Sequence, residues 1–157
     1  MNQHEKFLKM AINLAKKSAK EGLGGPFGAV IVKNGKVIAK AHNSVVPNSD
    51  PTAHAEVNAI REACKKLKNF ELKDCIIYAS AEPCPMCLGA IYWARPKALY
   101  YAADKKLAAK AGFDDYFIYK EIALPKNKRK IKTTKINLTE DNDPFEAWAK
   151  NTTKTEY

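Results

Sequence analysis

Phe7, Ala11, Leu14 and the small Ser18 recur at helical spacing near the start of the chain, so they predict an amphipathic helix over residues 3 to 21 with lysines outside. Gly22 to Pro26 breaks it. The pattern then becomes a continuous apolar, β-branched run, Phe27 to Val32. Asn34-Gly35 follows as a two-residue hairpin signal, and Val37 to His42 returns antiparallel. Asn43, at the end of that return strand, is either a turn residue or an amide presented to a ligand. Val45 to Pro51 reads as a loop. Asp50 as a cap and Pro51 at the first helical position predict a helix to about Lys68, with Val57, Ile60, Cys64 and Leu67 on its apolar stripe and His54 in its opening turns.

A second strand and helix follow. Asp74 to Ala81 is rich in strand formers, and Cys84 to Ala94 reads as a helix with Pro85 near its start. Pro96 marks the next boundary, and Lys97 to Ala102 is an apolar strand expected to be buried on both faces. Strand, helix, strand at this spacing is a crossover unit, so these two strands should run parallel. Asp104 caps a short helix to Lys110. Gly112-Phe-Asp-Asp-Tyr-Phe117 sets two acids between aromatics. It is either an exposed turn leading into a helix over Tyr116 to Ile122, or a loop that places a carboxylate over a pocket. Ile131 to Leu138 has weak strand character. Asp143-Pro-Phe-Glu146 is a capping box for a last helix that should bury Phe145 and Trp148, before the sequence closes on Tyr157.

Composition adds little until charge is considered. With 157 residues and 46% hydrophobic content, the chain is expected to form one domain with a proper core. The first residues lack the apolar centre of a signal peptide, and no apolar run approaches the ~20 residues of a membrane span. Four cysteines fit a reducing cytoplasm better than a disulfide scaffold, in which case the sequons at Asn137 and Asn151 carry no meaning. The net charge of +10 raises the question of nucleic acid. Against that, only Arg61, Arg95 and Arg129 among the 27 basic residues are arginine, the side chain favoured for bidentate phosphate contacts. The one lysine-rich cluster, Lys126 to Lys135, is followed by Glu140, Asp141, Asp143 and Glu146. A solvated lysine surface is the simpler reading, with no membrane and no nucleic acid as partner.

The candidate chemistry sits at two predicted helix starts. His54-Ala55-Glu56 and Pro83-Cys84-Pro85-Met86-Cys87 are separated by 26 residues. One imidazole and two thiols make three N/S ligands, which leave one corner of a zinc tetrahedron open, the catalytic arrangement. Cys84 and Cys87 are three apart and share a helix face, and the positive end of a helix dipole favours the thiolate that binds metal. Glu56 need not point at the ion; a carboxylate there can take a proton from water and return it to a leaving amine. A C-x-x-C alone also suits a redox pair or a structural zinc half-site, which would want a fourth Cys or His. Cys64 and Cys75 are available for that, but Cys64 belongs to an apolar stripe and Cys75 opens a strand, so both are better read as buried small hydrophobes.

The H-x-E and P-C-x-x-C pairing is the signature of zinc nucleobase deaminases. With helix, hairpin, helix, strand, helix, strand, helix around it, the chain resembles the cytidine-deaminase-like α/β fold: a three-layer α/β/α sandwich around a mixed five-stranded sheet. Gly24-Gly-Pro-Phe-Gly-Ala-Val-Ile-Val32, Asp50 to Glu56, Glu82 to Pro96, Ala111-Gly-Phe-Asp-Asp115 and Lys154-Thr-Glu-Tyr157 are similar to the bacterial guanine deaminases along nearly the whole chain. The resemblance implies conversion of guanine to xanthine. It implies one Zn2+ held by His54, Cys84 and Cys87, with Glu56 as the proton carrier. It also implies base contacts from Asn43 and Asp115, a pocket lined by Phe27, Ala55 and Trp93, and closure by Tyr157. The family forms homodimers, so the segment from about residue 131 to 157 is expected to cross to a second copy.

Physical chemistry agrees in part. Guanine presents a ring N–H and an amine side by side, which suits a carboxylate acceptor such as Asp115, and flat rings stack on Phe or Trp. A tRNA adenosine deaminase is the alternative enzyme; it needs an open groove for a flipped nucleotide. A guanosine deaminase is a nearer variant, and a zinc-stabilised RNA-binding module is the non-enzymatic alternative.

Overall fold

The computed structural model describes residues 2–157 and divides into two compact units, one ending at Asp115 and one beginning at Tyr116. In the first, helix α1 (Gln3–Lys20) starts where the Asn2 side chain accepts the His4 N–H at 3.1 Å. Strands β1 (Gly28–Lys33) and β2 (Lys36–His42) form the expected hairpin, its turn carried by Asn34 and Gly35 at φ 49° and 74°. Then come α2 (Val45–Asn48), α3 (Ala55–Leu67), β3 (Cys75–Ala81), α4 (Pro85–Ala94), β4 (Ala98–Ala103) and α5 (Lys105–Lys110).

The sheet order is β2-β1-β3-β4; β1 is antiparallel to both neighbours, and β3 and β4 run parallel, as the crossover through α4 requires. β1 is buried on both faces, and its alternation sorts two cores. Val30 and Val32 pack with Tyr78 against Phe7 and Ala11 of α1. Ala29 and Ile31 pack with Ile77 against Ala55, Ala59 and Ala63 of α3 and Ile91 and Ala94 of α4. The alanine-rich face lets α3 and α4 lie close to the sheet. Three layers result. Among the described residues no helix is long and apolar enough to cross a membrane.

Five expectations need correction. The described sheet has four strands, because Ile131–Leu138 is irregular. β4 is an edge strand with no buried residue, not a doubly covered one; Tyr100 and Tyr101 are exposed. Val45–Asn48 is a short helix inside the expected loop. Asp50 does not cap α3: its Oδ1 accepts from the Thr52 N–H at 2.8 Å and the Thr52 hydroxyl at 2.7 Å, a local turn that outcompetes the cap and delays the helix to Ala55. In the second unit, α6 (Tyr116–Ala123), a 3-10 turn (Lys126–Lys128) and α7 (Asp143–Lys150) contain no buried residue. Phe145 and Trp148 are therefore exposed, at 71% and 41%, against the expected burial.

Candidate metal centre and base site

Two helix N-termini meet at the site. His54 is the N-cap of α3 and Cys84 the N-cap of α4, yet neither side chain makes a capping hydrogen bond. An N-cap side chain ordinarily turns back onto its own helix; these two are left available for something else. Cys87 follows in the first turn of α4, wholly buried. The Cys84 and Cys87 Sγ atoms lie 3.6 and 3.5 Å from His54 Nδ1. All three donor atoms fall within 4.8 Å of one another.

That spacing suits zinc. With Zn–S near 2.3 Å and Zn–N near 2.0 Å, the S-to-N edge of a tetrahedron is roughly 3.5 Å. A Cys2His set is also a donor combination found in catalytic zinc sites. Among the described residues these three are the metal-capable group; Cys64 and Cys75 lie outside it. Cys75 is buried, as expected, and Cys64 is half-buried against the same core.

Charge is arranged accordingly. A hydrogen bond from the Cys87 thiol, helped by one with His54, lowers Cys84 to about 4. The converse holds for Cys87, whose thiol keeps its proton in the hydrogen bond to Cys84 and is buried, and so is pushed far up. The Cys84 thiolate raises His54. The metal-free protein at neutral pH thus keeps one thiolate and one thiol, and zinc can enter only as Cys87 and the imidazolium fraction of His54 lose their protons. At pH 6 we expect loading to release about two protons per ion, and affinity to fall as pH drops from 7 to 5. Calorimetry in buffers of different ionisation enthalpy measures this; zero release contradicts the ligand set.

Glu56 stands in the first turn of α3, 6% exposed, and its Oε2 lies 3.5 Å from Cys87 Sγ. Burial raises its carboxyl above the usual range, so the protonated form is within reach. It adjoins the three donors without belonging to them.

Asn43 is 5% exposed, and its Oδ1 accepts both the Gly25 N–H at 3.1 Å and the Val45 N–H at 3.2 Å. Two backbone donors on one oxygen decide which way the amide points, leaving Nδ2 as the group that can donate to a ligand. Asn43 is tied to the metal cluster through the next residue, since the Ser44 N–H donates to the carbonyl of Ala53 at 2.9 Å. Asp115 is half-buried; burial, then the charge of Cys84, raises its carboxyl, which places it in the field of the cluster. Ala55 is fully buried at the start of α3. Phe27 is half-buried and meets Phe113 edge-on at 4.9 Å, a partner the sequence reading did not single out. Both rings also line a mainly apolar cavity of about 360 Å³ that none of the metal-cluster residues borders.

Trp93 lies on α4 and is 61% exposed. Tyr157 is in the second unit, 6.5 Å edge-on from Trp148, whose ring centre is 5.8 Å from the Lys154 ammonium. Asn58 was not anticipated. Its Nδ2 reaches His42 O at 3.1 Å, Ser44 Oγ at 3.0 Å and Ala53 O at 3.2 Å, and nothing in a lone Asn on a helix announces such a hub.

Residues 1–103 match the model of the cytidine and deoxycytidylate deaminase zinc-binding region. The chain is 59% identical over 154 residues to the guanine deaminase of Bacillus subtilis, covering 98% of this chain and 99% of that one. The X-ray structure of that protein superposes over the whole chain, with a TM-score of 0.97 and 99% of its own length covered. A tRNA-specific adenosine deaminase of Aquifex aeolicus is 48% identical over 103 residues, 65% of this chain and 68% of that one. A guanine deaminase of Nitrosomonas europaea is 33% identical with a TM-score of 0.66, over 69% of this chain and 63% of the other.

Proposed function

Because the chain belongs to the cytidine and deoxycytidylate deaminase family, we propose that it hydrolyses guanine to xanthine and ammonia as a zinc enzyme. The observation that carries guanine over adenosine in tRNA is identity and reach taken together, 59% over 154 residues with the Bacillus subtilis guanine deaminase against 48% over 103 residues with the Aquifex tRNA enzyme. The likeness to the Bacillus subtilis guanine deaminase runs through the second unit, whereas the likeness to the Aquifex tRNA enzyme covers 103 residues.

His54, Cys84 and Cys87 are the proposed ligands. When bound there, zinc lowers the pKa of water to about 7 and supplies a nucleophile at neutral pH. Glu56 Oε2 takes the proton that the water gives up, delivers it to the purine ring, and passes a proton to the departing amine. The C2–O bond forms, the C2–N bond breaks, and the products are xanthine and ammonia. The Asn43 Nδ2 donates to an acceptor of the base, and Asp115 accepts from its N–H edge. Phe27 covers a ring face, with Ala55 backing it and Trp93 and Tyr157 completing the enclosure.

The active form is proposed to be a homodimer in the cytoplasm. Residues from Tyr116 onward contain no buried side chain, while Ile131, Ile136 and Phe145 are 81%, 74% and 71% exposed. That much apolar surface on a segment without its own core calls for a covering partner, and a second copy exchanging its C-terminal segment supplies one. None of the four cysteines is in a disulfide, which suits a reducing compartment.

Ammonia release measured across guanine, guanosine, adenine, cytosine and a tRNA anticodon stem-loop tests the substrate. Guanine alone should be turned over rapidly; release from the stem-loop alone overturns the proposal. Deleting residues 153 to 157 should lower guanine turnover on the order of tenfold, as loss of a closing segment does, with little change in Tm. Unchanged kinetics would remove Tyr157 from the site.

A further inference from the structure

We propose that Gly24 and Asn58 are positioning residues that clamp Asn43 from two sides and so aim its amide at the base. This rests on the reading of Asn43 as a base contact. On one side, the Gly24-Gly25-Pro26 turn closes onto Asn43. Gly24 has φ +150°, and a Cβ there would stand 2.1 Å from the Asn43 carbonyl oxygen, 2.8 Å from its carbonyl carbon and 2.9 Å from Oδ1. Two of those three atoms are backbone, which cannot swing aside as the end of a flexible side chain can. Only a residue without a side chain lets the Gly25 N–H reach Oδ1.

On the other side, Asn58 of α3 gathers three acceptors with one amide. His42 O lies before Asn43, Ser44 Oγ after it, and Ala53 O sits next to the metal ligand His54. The Asn43 N–H also donates to Phe27 O at 3.1 Å. The amide is therefore held through its own oxygen, its backbone and both chain neighbours, and Nδ2 remains as the donor with no protein partner among the described residues. α3 carries Glu56 two residues before Asn58, so the same helix that supplies the proposed proton carrier also fixes the base contact. A misplacement of about 1 Å in such a contact costs on the order of 10²-fold in rate.

The test is a double-mutant cycle on guanine turnover with zinc content and Tm measured alongside. Gly24→Ala and Asn43→Ala should each lower kcat/KM on the order of 10-fold to 10²-fold, with zinc still bound. The double variant should then be no worse than Asn43→Ala alone, because the displacement that Gly24→Ala forces on the Asn43 backbone reaches turnover through the amide that backbone aims. Should Gly24→Ala fail to fold, Asn58→Ala gives the same cycle from the other side. Multiplicative losses in the double variant, or wild-type kcat/KM in Gly24→Ala and Asn58→Ala, overturn the clamp and leave the base-contact reading standing. Wild-type kcat/KM in Asn43→Ala overturns both.

Discussion

Glu56→Gln is expected to keep its zinc and lose guanine turnover on the order of 10³-fold, within the range by which positioned general acids and bases act. The substitution preserves shape and removes only the ability to carry a proton. Three features make the effect large. Glu56 is 6% exposed, so bulk water cannot easily substitute for it. Its Oε2 sits 3.5 Å from Cys87 Sγ, beside the donor cluster but outside it, so the metal does not depend on it. Burial holds its carboxyl above the ordinary range, which keeps both protonation states accessible in a cycle that must take up a proton and release it. Metal analysis and steady-state kinetics on the same preparation decide the matter. A zinc-replete variant with wild-type kcat would remove Glu56 from the reaction.

Cys84→Ala should abolish turnover together with zinc binding. It should also remove metal-linked stability of about 3–4 kcal/mol, the amount a ligand contributes at 10² to 10³ times its Kd. Cys84 is the group already ionised in the metal-free protein, lowered to about 4, and it holds the Cys87 proton and raises His54. Removing it takes away a ligand and the charge that organises the other two. The readout is the change in Tm when zinc is added to metal-free protein: several degrees upward for the wild type, none for the variant. A variant that keeps its zinc and its rate would contradict the ligand set. The predicted dependence of loading on pH has the same origin, since Cys87 and the imidazolium fraction of His54 must lose protons as the metal enters.

Much of the first unit was legible along the chain. The α1 face, the Asn34-Gly35 hairpin and the parallel β3–α4–β4 crossover all follow from period and turn chemistry, which are local. The ligand spacing was legible too, because His54 and Glu56, like Cys84 and Cys87, are near neighbours whose relation one helical turn sets. The boundary of α3 was missed because Asp50 had two local uses, cap or turn, and a contact to Thr52 decided between them. β4 was misjudged because an apolar run looks the same whether its second face is covered or open. The same holds for Phe145 and Trp148: amphipathic spacing marks an apolar face without saying whether the chain's own fold buries it.

By itself, then, the order of residues determined which side chains are available for the proposed chemistry, since donor type and short spacing need no knowledge of the rest of the molecule. Only the folded chain decided how they face one another. It brought two helix N-caps to within 3.6 Å across 30 residues, buried Glu56 beside them, and closed the Gly24-Gly25 turn onto Asn43. Those relations depend on β1 and β3 pairing and on α3 and α4 sharing one core. Contacts so distant in sequence leave no periodic trace in it.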